Sequence, residues 1–176
     1  SSYNLVNNIT NFEVPDLDNP ELIKNLFKGI QFLNKENKLL AYHDRSDGGL
    51  ITSVLEMAFS GHCGLKLELE VESSIVEFLL NEELGDVIQV ANKDIEFIQE
   101  YLAKKLGLSL VIIGTPAIDH KISIFNNSSL IYSSTRSELQ QIWAETSFRI
   151  QSIRDNPKSA AAEFSLILDD SNPGIN

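Results

Sequence analysis

The run His43-Asp44-Arg45-Ser46-Asp47-Gly48-Gly49-Leu50 constrains this chain more than any other stretch. An apolar segment, Lys38-Leu39-Leu40-Ala41-Tyr42, leads into it, and apolar residues at helical spacing follow from Leu50 to Phe59. That order predicts a strand, a polar glycine-rich turn and a helix. Backbone N–H groups in the first turn of a helix lack partners within it and favour an anion. Two adjacent glycines take backbone angles that a Cβ forbids and let a ligand come close. Asp44 and Asp47 supply hard oxygens of the kind Mg2+ prefers. The residues fit a phosphate-and-magnesium turn, with Asp44 on the metal and Ser46, with nearby N–H groups, on phosphate oxygens. They also fit an Asp- or Ser-capped helix after a tight turn, since Asp-Gly-Gly is common turn chemistry.

The rest of the chain alternates helices and strands. Residues 1–14 are polar, with Asn at positions 4, 7, 8 and 11, and read as an extended lead-in. Pro15 to Pro20 is a turn-rich boundary ending in a helix start, with Asp18 or Asn19 as cap and Pro20 in the first turn. Leu22, Ile23, Leu26, Phe27, Ile30 and Leu33 then mark an amphipathic helix. Lys38 to His43 is the first predicted strand and Leu50 to Ser60 the second helix. Leu65, Leu67, Leu69 and Val71 alternate with Lys66, Glu68 and Glu70, the pattern of a strand with one wet face.

Ser73 or Ser74 caps a short helix through Leu80, and Leu84 to Ala91 is a strand. Asn92 opens a helix that Gly107 ends. Leu108 to Gly114 is an apolar strand, and Lys121 to Phe125 and Leu130 to Ser133 form a hairpin whose turn lacks glycine. Thr135-Arg136-Ser137-Glu138 has the capping-box pattern and opens a long helix. Asn156-Pro157 breaks it, Lys158 to Leu168 is a last helix, and residues 169–176 are a polar tail. These elements predict an α+β fold: an α/β sandwich in which helices pack on a mostly antiparallel sheet.

The formal net charge of −11 opposes non-specific nucleic-acid binding, which needs Lys and Arg to neutralise phosphates. It equally opposes an anionic membrane surface. A nucleotide remains compatible, provided a metal ion and local N–H groups offset its charge. The one cysteine, Cys63, excludes an intrachain disulfide and fits a reducing compartment. No apolar run approaches the length of a membrane span.

Several stretches resemble the large, single-chain form of phosphoribosylformylglycinamidine synthase. They are Leu39 to Leu50, Glu56-Met57-Ala58-Phe59, Gly61-His62-Cys63-Gly64, Asn81 to Gly85 with Val87 to Val90, Trp143 to Ser147, Arg149-Ile150-Gln151 and Arg154 to Pro157. They occur in the family's order, from about Pro15 to Asp170. The resemblance implies the fold of an aminoimidazole-ribonucleotide-synthetase-like C-terminal domain, the second copy in that enzyme. It implies residues 15–168 as this domain, residues 1–14 as a join from a preceding synthetase half, and residues 169–176 as a linker toward a glutaminase. It further implies a cytoplasmic enzyme that uses ATP and glutamine to convert formylglycinamide ribonucleotide to formylglycinamidine ribonucleotide. In that family the residue matching Asp44 is a Mg2+ ligand and the residue matching Ser46 contacts the nucleotide, ATP or ADP. The other metal ligands lie in the preceding domain.

Other candidates carry plainer explanations. His43 ends a strand, and His62 sits between glycines without a partner at ligand spacing. Cys63 beside His62 is a poor nucleophile pair, because neighbours in an extended segment point apart. Glu82 and Glu83 read as a solvated helix end. Arg136, Arg149 and Arg154 suit phosphate or salt bridges on the long helix. The stretch from Trp143 to Pro157 is expected to pack against a neighbouring domain of a larger enzyme. Two further readings stay open: another ATP-using enzyme of the same superfamily, and a scaffold whose turn binds nothing.

Overall fold

The computed structural model describes residues 1–10, 16, 17 and 19–171. The chain divides into two compact units, Ser1–Met57 with Ser73–Ile112, and Ala58–Glu72 with Ile113–Asn176.

The first unit holds α1 (Ser2–Val6), α2 (Pro20–Lys35), β1 (Ala41–Asp44) and the start of α3 (Gly49–Ser60), whose residues from Ala58 belong to the other unit. It also holds α4 (Ile75–Leu80), β3 (Asp86–Gln89) and α5 (Ile95–Leu106), the last preceded by a 3-10 turn at Asn92–Asp94. β1 and β3 pair antiparallel, with Tyr42 opposite Ile88 and Asp44 opposite Asp86. Leu33 of α2 and Ile98 and Leu102 of α5 are buried together, with Phe32, Leu39, Ile88, Val90 and Tyr101 packed on them. The helical spacing that marked α2 thus has its counterpart in α5.

Local capping chemistry sets the helix ends. Asn19 accepts the Glu21 N–H at 3.1 Å to start α2, and Gly107 ends α5 in the left-handed conformation at φ +65. The alternative cap, Asp18, lies outside the described residues. Residues 2–6 are helical rather than extended. At the start of this helix the Ser2 N–H donates to Glu82 Oε1 at 2.7 Å.

The second unit holds β2 (Gly64–Leu69), β4 (Gly114–Ala117), β5 (Lys121–Asn126), β6 (Ser129–Thr135), α6 (Arg136–Arg154) and α7 (Pro157–Ser165), closed by a 3-10 turn at Leu166–Leu168. Its sheet runs β4-β2-β5-β6. β2 and β5 are parallel, while the β2–β4 and β5–β6 pairs are antiparallel. The expected alternation holds: Leu67 and Leu69 are buried with Ile122 and Ile124, while Lys66 and Glu68 face water. The hairpin turn is the pair Asn127-Ser128, at φ +49 and +64. Both angles positive is the arrangement that matches strand twist, reached here without glycine.

The strand expected over Leu108 to Gly114 is displaced. Residues 108–113 pair in no ladder, and β4 begins at Gly114. A Cβ at Gly114 would stand 2.1 Å from the Lys66 carbonyl oxygen, so only glycine admits this backbone approach. Pro116, which reads as a strand breaker, is accepted because β4 is a sheet edge. Thr135 and Glu138 form the expected capping box at the start of α6. Asn156 caps α7 through the N–H groups of Lys158 and Ser159. No helix among the described residues is long and apolar enough to cross a membrane.

Candidate functional site

The glycine-rich turn lies wholly in the first unit, between β1 and α3. Asp44 is the last residue of β1 rather than the first of the turn. Its side chain is 70% exposed and its backbone is fixed by the pairing with Asp86. The Gly49 N–H donates to the Ser46 carbonyl at 2.9 Å, closing a tight turn over Ser46-Asp47-Gly48-Gly49. Gly48 and Gly49 take φ values of +86 and +76, which explains the glycine pair. Ser53 is fully buried, its Oγ 3.2 Å from the carbonyl oxygens of both Asp44 and Gly49. The end of the strand and the start of the helix are thereby tied across the turn. Ser46 is half-buried and Asp47 exposed, both in the turn that follows Asp44 at one end of the β1–β3 pair.

The segment from Asn81 to Asp86 braces the turn from the other side. The Arg45 N–H donates to the Gly85 carbonyl at 2.7 Å, and the Gly48 N–H to Glu82 Oε1 at 2.9 Å. The Arg45 guanidinium reaches the Asn81 side chain at 3.3 Å, while its Nε is buried without a hydrogen-bond partner. Burial of Arg45 pulls its pKa down, against the opposing pull of Glu83 and Asp86. The amides of Arg45, Gly48 and Gly49 are therefore committed inside the protein.

Electrostatics separate the carboxylates. Asp86 is pushed up by burial, only partly offset by the Tyr42 hydroxyl, which donates to it at 3.0 Å. Tyr42 is itself pushed up to about 12 by burial and by its bond to Asp86. Burial would raise Glu82 as well, but the N–H groups of Ser2 and Gly48 outweigh it and hold Glu82 below the usual carboxylate range. Sequence reasoning singled out Asp44 and Ser46 and treated Glu82 as solvated. The side chain of Glu82 is only 15% exposed. The one sequence signal was its place in the Asn81 to Gly85 stretch.

The remaining candidates have structural employment. His43 Nε2 lies 2.9 Å from Glu56 Oε2 and Nδ1 lies 2.6 Å from the Asp44 carbonyl, so both ring nitrogens face acceptors. In the second unit, burial pushes the Cys63 thiol up, away from nucleophilic use. The His62 ring meets His120 edge-on at 5.8 Å. Arg136 is fully buried and binds Gln140, Asp170 and the Ile167 carbonyl. Arg149 and Arg154 pair on the surface with Glu145 and Asp155. No group of three His, Cys, Asp or Glu among the described residues could hold a metal ion.

Residues 1–125 match the family described as AIR synthase related protein, C-terminal domain. The chain belongs to this family. The match ends inside β5, so the C-terminal helices of this AIR synthase-related domain lie beyond it. A phosphoribosylformylglycinamidine synthase of Schizosaccharomyces pombe is 45% identical over 168 residues, which cover 93% of this chain. The chain spans 13% of that relative's length. Among solved structures, a Thermotoga maritima PurL complexed with ATP superposes with a TM-score of 0.63 at 17% identity, covering 70% of this chain and 22% of that one. The same protein complexed with FGAR gives 0.60 at 18% identity, covering 66% and 20%. At such identities the likeness is one of fold, and it accords with the α+β architecture of this AIR synthase-related domain.

Proposed function

We propose that this chain is one domain of an ATP- and glutamine-dependent phosphoribosylformylglycinamidine synthase, and that its glycine-rich turn forms one wall of a Mg2+–nucleotide site. The observation that carries this is the position of Asp44. An exposed carboxylate ends a strand beside a turn held open by two left-handed glycines, in a chain 45% identical to such a synthase over 168 residues. Ser46 stands next to it to contact the phosphates.

The residues fit a divalent cation in part. Asp44 offers an exposed hard oxygen, its Oδ1 only 3.8 Å from His43 Nδ1, while Asp86 opposite is partly buried and engaged by Tyr42. Mg2+ bound by a single carboxylate needs other donors, which nucleotide phosphates and carboxylates outside this chain would provide. When bound, the ion would neutralise charge on the phosphate oxygens. Asp44 would orient it, and Ser46 would fix the phosphate by a hydrogen bond.

The exposed apolar face of α6 supports membership of a longer polypeptide. Ile142, Ile150 and Ile153 are 71%, 55% and 88% exposed along one side of that helix. The preceding synthetase half and the glutaminase domain are the proposed neighbours, and the single half-buried cysteine suits a cytoplasmic enzyme.

Calorimetric titration of Mg2+–ADP into the full-length polypeptide tests the site. Asp44→Asn and Ser46→Ala should each weaken binding about tenfold, the worth of one charge-assisted contact. Unchanged affinity in both would refute the nucleotide wall. Absence of glutamine-dependent ADP release with formylglycinamide ribonucleotide would refute the enzymatic assignment.

A further inference from the structure

Glu82 is a partly buried carboxylate on the segment that follows α4, and the Gly48 N–H points at it. Two backbone donors, Gly48 N–H at 2.9 Å and Ser2 N–H at 2.7 Å, converge on the same oxygen. Arg45 N–H is fixed to Gly85 on the same segment. A Cβ at Gly49 would stand 2.5 Å from the Leu80 carbonyl carbon, so the turn rests directly on the backbone that carries Glu82. The N–H that a glycine-rich turn would offer to a phosphate is thus already held by an internal anion.

We infer that Glu82 is a positioning residue for the nucleotide site: it locks the Gly48 peptide through one hydrogen bond and so holds Asp44 and Ser46 in their presenting geometry. This rests on the nucleotide reading above. Phosphate contact then falls to Ser46, and Gly48 serves as a fixed hinge pin. The function of the Glu82 carboxylate needs an acceptor oxygen at that place, not a negative charge as such.

Hydrogen-exchange mass spectrometry of the peptide spanning residues 45–52, with calorimetric titration of Mg2+–ADP, tests this in the full-length polypeptide. Glu82→Ala should speed exchange of that peptide and weaken binding about tenfold, measured well below the unfolding temperature. Glu82→Gln keeps an acceptor oxygen and should restore both to within about threefold. If Glu82→Ala does not fold, Glu82→Asp, whose oxygen falls short of Gly48, takes its place with the same expectation. Unchanged or tighter binding in Glu82→Ala, beside weakened binding in Asp44→Asn, overturns the inference and leaves the nucleotide site standing. A Gln variant as weak as the Ala variant also overturns it, because charge would then be the requirement. Unchanged binding in Asp44→Asn as well removes both readings.

Discussion

Asp44 and Asp86 face each other at the end of the β1–β3 pair, yet they occupy opposite electrostatic settings. Asp44 stands in water at 70% side-chain exposure. Asp86 is partly buried, pushed up by that burial, and takes a hydrogen bond from Tyr42. The sheet register thus supplies one carboxylate available to a cation and one that is costly to charge.

Asp86→Asn should raise stability at neutral pH. A group whose folded pKa is raised stabilises the fold fully below its unfolded pKa and loses that contribution as pH rises through the folded value. At pH 7 the aspartate is charged and penalised, whereas the asparagine is neutral and its amide oxygen still accepts the Tyr42 hydroxyl. The advantage should vanish below roughly pH 4, where Asp86 is protonated in both states. Thermal melts of the two proteins from pH 3 to pH 8 check the crossing.

The two glycines should differ in their tolerance of alanine. At Gly49 a Cβ would sit 2.5 Å from backbone carbon of Leu80, and backbone cannot step aside. The left-handed angle adds its own cost, so Gly49→Ala should destabilise by about 2–4 kcal/mol. At Gly48 the clash is with Thr52, whose Oγ1 at 2.2 Å from the new Cβ can rotate away at the loss of its bond to the Gly48 carbonyl, leaving the milder contact with its Cβ at 2.9 Å. Gly48→Ala should cost about 1–2 kcal/mol, mostly from the angle. Urea unfolding gives the order, and a larger loss at Gly48 would contradict this geometry.

Local chemistry made much of the fold legible before the structure. The Asn19, Gly107 and Thr135–Glu138 signals act within one helical turn, and each falls where the sequence places it. The glycine pair and the alternation of β2 are equally local. What escaped reading depends on distant partners. The start of β4 is decided by contact with Lys66, and a run such as Leu108 to Ile113 carries no mark of where pairing begins. The helix at residues 2–6 leans on Glu82, 80 residues away. Glu82 itself reads as a surface acid until its two amide donors are seen. Arg136 reads as a helix-surface cation, and only the return of the chain to Asp170 and Ile167 reveals that it is enclosed.

Arg136 should therefore be among the most sensitive charged positions of the second unit. It is fully buried, it bridges α6 to residues after α7, and its Nε lacks a partner. Arg136→Lys shortens the reach and discards the planar fork that serves three acceptors at once. We expect a loss of about 3 kcal/mol, the scale of breaking a buried ion pair. Asp170 is 47% exposed, and Asp170→Asn keeps an amide oxygen that can accept the Arg136 guanidinium, so it should cost less, about 1 kcal/mol. Chemical denaturation of both variants checks the ratio.

The α6 face separates this chain alone from the chain in a larger assembly. Trp143 is 56% exposed although its ring lies 5.9 Å from Phe59, and Ile142 beside it is 71% exposed. Isolated apolar side chains on a surface are ordinary, but a row along one helix is the mark of a contact face. In the 176-residue chain, Ile142→Ser and Ile153→Ser should change stability by no more than about 0.5 kcal/mol, since neither side chain is enclosed. In the full-length polypeptide the same pair should cost about 1–3 kcal/mol per residue, because apolar area covered by another domain would be lost. Trp143, the only tryptophan of the chain, reports the same event without mutation. Its emission should be long-wavelength and readily quenched by acrylamide in the isolated chain. In a full-length protein whose other tryptophans are replaced, it should shift to shorter wavelength and resist quenching. Identical emission in both settings would mean that α6 faces water in the assembly as well.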